Sequence, residues 1–246
     1  MNKSFKRISE HFGNLQDLRY DFRNLNLIRL VLSQLNKGSL FDVGCGAGHL
    51  LYHAKKKGFS ISGVEPNSDL IRLSKKLYGD LNIRKGYAEK IKIKSKYDNL
   101  VLLDVLEHIK DDSDSVRQLR GFLNDSGRLV IVVPAHPLLY GKRDELAGHY
   151  RRYSKKQIIS AVSMSGFKVV NVRYWNAIGF LPYLISERVF HKSLYTDLRT
   201  GNKKSTLKKC VSGLLNIWFR YVENNVNFGF GLSLICVAKR LNKDVK

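Results

Sequence analysis

The stretch Leu40-Phe-Asp-Val-Gly-Cys-Gly-Ala-Gly-His-Leu50 decides the fold of this chain. Residues Ser39 to Val43 are mostly apolar and predict a short buried strand. The glycine-rich stretch after this strand predicts a tight turn, and His49 to Lys57 predict a helix. Glycines let the backbone approach a ligand closely, and the N-terminus of a helix offers free N–H groups, so strand, turn and helix together predict a nucleotide-binding unit. The glycines of the turn are Gly44, Gly46 and Gly48.

The spacing of these glycines distinguishes the turn from that of dinucleotide-binding folds, because it reads G-x-G-x-G rather than G-x-G-x-x-G. Asp42 comes just before the first glycine, and its carboxylate suits a cationic ligand better than a pyrophosphate. In both respects the chain resembles the class I S-adenosylmethionine-dependent methyltransferases, whose first motif is an acidic residue followed by this glycine pattern. The resemblance implies S-adenosyl-L-methionine as cofactor. It implies cofactor contacts at Asp42, Gly44, Cys45, Gly46 and Gly48.

A second acidic residue follows the next predicted strand, Ser60 to Val64. Glu65 lies about 20 residues after Gly44, the interval at which a carboxylate accepts both ribose hydroxyls of a nucleoside. The segment resembles the second motif of the same methyltransferases, which adds Glu65, Pro66 and Asn67 to the predicted cofactor site. Ser68 is expected to cap the helix that follows.

The third and fourth predicted strands, Leu81 to Lys85 and Tyr97 to Leu103, are each followed by a loop that the resemblance assigns to the cofactor. After the third strand, Tyr87 and Ala88 would flank the adenine, although Tyr87 stands where the family commonly has an acidic residue. The segment after the fourth strand resembles methyltransferases of ubiquinone-biosynthesis type. By that resemblance Leu103 and Asp104 line the cofactor, and His108 points toward the transferred methyl group.

Alternating helix and strand signals predict an α/β fold. A helix from Asp111 to Leu123 leads to a fifth strand, Gly127 to Pro134, and two more strands follow. The resemblance implies a Rossmann-like seven-stranded sheet that is mostly parallel, with an antiparallel last strand and helices on both faces. The predicted sixth and seventh strands are Phe167 to Trp175 and Leu232 to Arg240.

The segment from Pro134 to Tyr153 leaves the carboxyl end of a central strand, where open α/β sheets bind ligands. It is too polar and aromatic to be buried and too long for a tight connection. It resembles the substrate loop of a subgroup of these methyltransferases. Arg151 and Arg152, with Lys155, would form an anion-binding rim, and the alternative is a basic loop that only anchors the next helix at its Ser154-x-x-Gln157 capping box. The substrate-binding candidates on this loop are His136, Tyr140, Arg151, Arg152 and Tyr153.

Transfer of a sulfonium methyl group to a hydroxyl needs an in-line approach and a base that removes the proton. Histidine suits that task near neutral pH. His149 and His108 are the catalytic candidates, with His136 third. No carboxylate cluster stands out in the sequence, so no metal is predicted.

Two segments outside the central pattern bear on the acceptor. Residues 1–37 include a predicted helix that Asn24 or Asn26 would cap. N-terminal segments of the methyltransferases that the chain resembles often cover the substrate, which implies an N-terminal helical lid with Tyr20 as a substrate-binding candidate; the alternative for Tyr20 is a packing role. Residues 177–230 form a helical insertion between strands six and seven, with predicted helices at Ala177 to His191 and Leu207 to Val222. The insertion suits contact with a membrane surface or a lid over an apolar substrate. It equally suits a dimer interface or simple packing on the sheet.

Composition sets the broad class of the protein. The 246 residues are enough for a single methyltransferase domain over residues 1–246 with the two helical additions. A formal net charge of +22 attracts polyanions, or reflects a lysine-rich solvated surface. The three cysteines have no disulfide or metal spacing, which suggests a reducing compartment. Because neither a signal peptide nor an apolar run of membrane-spanning length is visible, we expect a cytoplasmic protein, or one peripheral at the inner face of a membrane.

These observations favour methylation of a small-molecule or lipid-linked acceptor, such as a phenol, sugar or polyprenyl compound, on oxygen and with histidine-assisted proton removal. The acceptor would be anionic and amphiphilic. The alternative is an RNA methyltransferase, which the positive charge favours. The tetrapeptide of adenine-N6 enzymes and the Pro-Cys nucleophile of cytosine-C5 enzymes are absent after the fourth strand, which disfavours nucleic acid. A non-catalytic scaffold is a third class, disfavoured by the intact Asp42, glycine turn and Glu65.

Overall fold

The computed structural model describes residues 21–91, 95–188 and 206–241. Within them, seven strands form one sheet in the order β3-β2-β1-β4-β5-β7-β6. The strands are β1 (Ser39–Val43), β2 (Ser60–Glu65), β3 (Ile83–Lys85), β4 (Tyr97–Leu103), β5 (Leu123–Pro134), β6 (Phe167–Trp175) and β7 (Ser233–Arg240).

Strand directions follow the predicted arrangement. Strand β1 pairs parallel with both β2 and β4, and β4 pairs parallel with β5. Strand β7 alone runs opposite to the other six strands, and it pairs antiparallel with β5 and β6. The chain first winds outward from β1 to β3 and then returns to place β4 on the other side of β1. Ligands of open α/β sheets bind where the strand order reverses, so the carboxyl end of β1 is the expected site.

Helices cover both faces of the sheet, as predicted. Leu100 of β4 lies in the core on one face together with Val116 and Ile158, and Val101 lies in the core on the other face with Ile28 and Leu51. Each strand residue faces the opposite side from its neighbour, so one apolar run supplies both cores. The helices are α1 (Phe22–Ser33), α2 (His49–Lys56), α3 (Ser68–Tyr78), α4 (Asp112–Arg120), α5 (Lys142–Ala147), α6 (Lys155–Met164), α7 (Phe180–Arg188) and α8 (Thr206–Ile217), and α8 continues as a π-helical turn, Trp218–Glu223.

Helix starts were predicted less well than the helices themselves. Asp21 caps α1, accepting hydrogen bonds from the backbone N–H groups of Arg23 and Asn24, so the prediction of Asn24 or Asn26 as the cap is wrong. Asn26 is instead buried within α1, where its Nδ2 donates to the Phe22 carbonyl at 2.7 Å. The helix begins about one turn earlier than predicted, because Phe22, directly after Asp21, already packs in the core.

Two further boundaries differ. Asn67, not Ser68, caps α3, because the Asn67 side chain accepts the Asp69 N–H at 2.8 Å. The predicted helix from Asp111 to Leu123 ends at Arg120, and Leu123 already belongs to β5, where it pairs with Tyr97. The pairing register shifts between Tyr97 and Asn99. Residues 124–127, which the sequence pattern placed in a loop before the fifth strand, lie at this irregularity. The capping box of Ser154 and Gln157 is present at the start of α6.

The insertion is partly described. Helix α7 begins at Phe180, three residues after the predicted start at Ala177, and is described as far as Arg188, while α8 is described from Thr206 onward. None of the helices in the described ranges is long and apolar enough to cross a membrane. Residues 1–20, which include Tyr20 and most of the predicted lid, and residues 189–205 lie outside the described residues.

Candidate active site at the carboxyl edge of the sheet

The glycine turn after β1 has the backbone that its residues predict. The φ angles of Gly44, Gly46 and Gly48 are +68°, +55° and +77°, a region that other residues rarely adopt. A Cβ at Gly44 would lie 2.6 Å from a methyl group of Val105, which shows that the segment after β4 presses against the turn. A Cβ at Gly46 would meet no atom within 4 Å among the described residues. The turn therefore leaves free space over Gly46, whereas at Gly44 it packs against Val105.

Glu65 orients its carboxylate toward this turn. Its Oε2 accepts the N–H of Gly46 at 2.8 Å, and its Oε1 accepts the N–H of Asn67 at 2.9 Å. Glu65 is 6% exposed, and burial raises the pKa of its carboxyl group. The end of the second strand thus holds the acid predicted to bind the ribose, with both carboxylate oxygens fixed.

Asp42 lies beside Glu65 in the same crevice and is almost fully buried. Burial raises the pKa of the Asp42 carboxyl well above its usual range, and the Glu65 carboxylate raises it further. Two buried acids at one site repel each other and favour a ligand that carries positive charge. Cys45, between Gly44 and Gly46 in the turn, is also buried.

The remaining predicted cofactor residues lie along the edges of the crevice. Tyr87 is 52% exposed and precedes a single 3₁₀ turn, Ala88–Lys90. Leu103 is half-buried at the end of β4, and Asp104 is exposed with a φ of +53°. The strained backbone at Asp104 turns the chain sharply beside the glycine turn. Pro66 is half-buried at the end of β2, next to Asn67.

This cradle fits S-adenosylmethionine. The free space over Gly46 admits a ligand that contacts backbone, Glu65 matches a ribose diol, and the paired acids suit a molecule with a sulfonium and an ammonium group.

Replacing Glu65 with glutamine tests the ribose assignment. We expect the affinity for S-adenosylmethionine to fall roughly 10- to 100-fold, because hydrogen bonds to a charged group contribute about 1.5–3 kcal/mol. Titration calorimetry on the purified chain measures this change. Glu145→Gln, an exposed position on α5, is the matched control and should bind as the wild type does. Equal affinities of the two variants would refute the assignment.

A second group of polar side chains lies beyond Asp104, at the carboxyl ends of β4 and β5. Glu107, His108 and His149 each offer one ligand-type atom, and these atoms lie within 4.8 Å of one another. The rings of His108 and His149 meet edge to face, with centroids 4.7 Å apart. The two catalytic candidates, 41 positions apart along the chain, are therefore neighbours in space.

Residues of the loop after β5 contact the Nδ1 atom of each imidazole. His149 Nδ1 lies 2.9 Å from Oδ1 of Asp144, and His108 Nδ1 lies 3.2 Å from the carbonyl oxygen of Gly148. A carboxylate or carbonyl at Nδ1 places the ring proton there and leaves the lone pair on Nε2. Burial lowers the pKa of His108, and the neighbouring His149 lowers it further, which favours its neutral form.

Glu107 of this group, and Asp144, which contacts His149, were not predicted as site residues. Glu107 is fully buried, and neither of its carboxylate oxygens has a hydrogen-bond partner in the described part of the chain. Burial raises its pKa well above the usual range, and Asp104 raises it further. Its position directly before His108 was the available signal for Glu107. For Asp144 the signal was its place five residues before His149, across the turn at Gly148.

The loop from Pro134 to Tyr153 is not the exposed basic rim that was predicted. Arg152 is 7% exposed; its Nε donates to Asp144 Oδ2 at 2.8 Å, and a second guanidinium nitrogen donates to the Tyr183 hydroxyl. Arg151 pairs with Asp112 at 3.1 Å. Polar residues can be buried when they satisfy one another, so Asp144 and Arg152 are buried in a loop that leaves residues such as Leu138 and Tyr150 exposed, as expected. Lys155 is exposed.

The other loop candidates support this arrangement. Tyr153 is buried, and its hydroxyl donates to Asp112 at 2.8 Å. The Tyr140 hydroxyl donates to the His149 carbonyl at 2.8 Å, so it fixes the backbone of the catalytic candidate. His136 lies apart from the histidine pair and stacks on Tyr174, with ring centroids 5.2 Å apart.

Comparison with known proteins agrees with the geometry. The methyltransferase domain family matches residues 17–172, which is more than half of the chain. An uncharacterised methyltransferase of Alkaliphilus oremlandii is 28% identical over 97 residues, covering 39% of this chain and 45% of that protein. The ubiquinone biosynthesis O-methyltransferase of Escherichia coli is 23% identical over 134 residues, covering 50% and 56%. The chain spans about half the length of the curated relatives it matches.

Among solved structures, a SAM-dependent methyltransferase from Thermotoga maritima superposes with a TM-score of 0.63 at 16% identity, covering 96% of this chain and 98% of that one. The chain belongs to the methyltransferase domain family, within the class of S-adenosylmethionine-dependent methyltransferases. S-adenosylmethionine is its cofactor, and the turn after β1 with Glu65 is where the described residues fit it.

Proposed function

We propose that this protein transfers a methyl group to a hydroxyl oxygen of a small-molecule or lipid-linked acceptor. The observation that supports the proposal is the hydrogen bond from His149 Nδ1 to Asp144, which leaves the Nε2 lone pair at the carboxyl edge of the sheet. S-adenosylmethionine supplies an electrophilic methyl group on a sulfonium. A hydroxyl becomes a good nucleophile toward such a group when its proton is removed.

The lone pair of His149 Nε2 assists proton removal in one of two ways. It accepts the proton itself, or it binds a cation that makes the hydroxyl more acidic. In both cases Asp144 fixes the ring and Tyr140 fixes the backbone of His149. The acceptor oxygen would lie between His149 and the free space over Gly46, in line with the departing sulfur.

The surroundings of this site favour an acceptor with an apolar part. Helix α7 of the insertion packs on the substrate loop, with Phe180 against His136 and Tyr183 against Arg152. Large apolar side chains on these two packed segments remain exposed, among them Leu138, Leu181 and Ile185. Exposed apolar residues beside a site are suited to a lipid-like substrate. The name of the Escherichia coli relative, a ubiquinone biosynthesis O-methyltransferase, supports the same acceptor class.

Replacing His149 with alanine tests the role of the imidazole. Purified wild type and variant are incubated with methyl-labelled S-adenosylmethionine and an extract of cells that express the protein. We expect the rate of transfer into the organic and small-molecule fractions to fall about 100-fold or more, since a positioned acid or base contributes roughly 10²–10⁴. The affinity for S-adenosylmethionine should stay unchanged, because His149 is not part of the glycine turn.

His53→Ala on α2 is the matched control, since it removes a half-buried histidine outside the site. It should transfer label at the wild-type rate. An equal loss of rate in both histidine variants, or no loss in either, would contradict the proposal. Label that nuclease releases would favour the RNA alternative and give the +22 charge the main functional role.

A further inference from the structure

We propose that Glu107, His108 and His149 form a binding site for one divalent transition-metal cation. The inference rests on the proposed function in one respect, because it assigns the cation the task of binding the acceptor hydroxyl. The site itself depends only on the geometry of the three side chains. Nothing in the sequence pattern had indicated a metal.

The separations suit a shared cation. Ligands that bind a metal at about 2.0–2.2 Å lie roughly 3–4 Å from one another. His149 Nε2 is 4.0 Å from Oε1 of Glu107, and one ligand-type atom from each of the three residues lies within 4.8 Å of the others. Small side-chain rotations would bring all three atoms to bonding distance.

Both histidines already have the outer contacts that metal-binding histidines use. Such histidines donate their other ring N–H to a carboxylate or a backbone carbonyl, which fixes the ring and leaves the second nitrogen for the metal. His149 has Asp144 in this position, and His108 has the carbonyl of Gly148. Asp144 is in turn held by the buried Arg152, whose Nε donates to Asp144 Oδ2 at 2.8 Å. The carboxylate that contacts His149 is therefore itself fixed in place.

Glu107 provides an independent observation. Its side chain is 0% exposed, and both carboxylate oxygens lack hydrogen-bond partners within the described ranges. A buried carboxyl group without partners is costly, and native proteins almost always pair such a group or place a metal on it. Its nearest basic neighbour at the cluster is His149, at 4.0 Å. A cation between Glu107 and His149 would give the unpaired carboxylate oxygens of Glu107 a partner.

The ligand types select the class of cation. Two imidazoles and one carboxylate suit Zn²⁺, Fe²⁺, Co²⁺ or Mn²⁺ better than Ca²⁺ or Mg²⁺. Three protein ligands leave at least one position for the acceptor oxygen. A hydroxyl bound there would lose its proton to solvent. The oxygen would then form the new bond to the methyl carbon as the carbon–sulfur bond breaks, giving the methyl ether and the neutral thioether.

The site can be tested by binding of Co²⁺ to the metal-stripped full-length protein, followed by its visible absorption and by competition with Zn²⁺. A Cys210→Ser background removes the exposed thiol, which would otherwise bind soft metals. We expect one equivalent of Co²⁺ that Zn²⁺ displaces, with affinity at least tenfold weaker in Glu107→Gln and His149→Ala. His53→Ala is the control and should keep the wild-type affinity. Circular dichroism confirms that each variant is folded.

Absence of Co²⁺ binding, or binding that is unchanged in Glu107→Gln and His149→Ala, would overturn the metal site. A metal-stripped enzyme that transfers methyl to oxygen at the full rate would overturn its catalytic role and leave the proposed function standing. Cluster-dependent Co²⁺ binding with label found on nitrogen would support the site and refute oxygen as the acceptor atom.

Discussion

Replacing Asp144 with alanine is expected to lower the free energy of unfolding by about 3–5 kcal/mol, the usual cost of removing one partner of a buried ion pair. Asp144 is 1% exposed and accepts hydrogen bonds from both Arg152 and His149. Without it, the Arg152 guanidinium would stay buried with its charge uncompensated. The loss corresponds to roughly 10 °C in melting temperature for a domain of this size.

Denaturant unfolding and thermal melting of Asp144→Ala measure this effect. Asp114→Ala is the matched control, because Asp114 pairs with Arg117 on the surface of α4 and both side chains are at least 60% exposed. An exposed pair of this kind contributes about 0–1 kcal/mol. Equal stabilities of the two variants would show that the Asp144–Arg152 pair does not hold the loop.

Replacing Gly46 with alanine is expected to weaken S-adenosylmethionine binding roughly 10- to 100-fold while the protein stays folded. A methyl group at Gly46 would meet no protein atom, since nothing described lies within 4 Å, but it would enter the space assigned to the cofactor. Forcing a methyl group into an occupied space costs about 1–3 kcal/mol. A loss of binding without a loss of folding would therefore show that the added methyl group clashes with the ligand and not with the protein.

Gly58→Ala is a close control for this substitution. Gly58 has a φ of +85°, and a Cβ there would likewise meet no atom of the described residues within 4 Å. It lies between α2 and β2, away from the crevice. Both variants carry the same left-handed backbone strain of about 1–2 kcal/mol, so their stabilities should fall together. Only Gly46→Ala should lose affinity in a calorimetric titration. Equal affinities would mean that the cofactor does not contact the turn.

The fold was predictable from the chain because its central strands are continuous apolar runs separated by amphipathic helices. Residues 129–133 of β5 are such a run, and burial on both faces of the sheet requires it. The geometry of the candidate cofactor residues was predictable for a related reason. Gly44, Gly46 and Glu65 are defined by backbone geometry and local spacing, which the sequence displays directly.

The second half of the site was only partly predictable. His108 and His149 were chosen for their chemistry, but their contact depends on how the loop after β5 folds over the turn after β4. Burial of Arg152 depends on Asp144 eight residues away, and a sequence shows two charges without showing that they are paired. Glu107 reads as an ordinary polar residue because inward orientation in a 3₁₀ turn leaves no periodic pattern.

The atom that receives the methyl group distinguishes O-methylation from the alternatives. S-adenosylmethionine with a deuterated methyl group is incubated with the protein and a cell extract, and the labelled product is identified by tandem mass spectrometry. We expect the deuterated methyl group on an oxygen of an organic-soluble or small molecule, with little product from His149→Ala. Label on nucleic acid, on protein or on a nitrogen atom would contradict it.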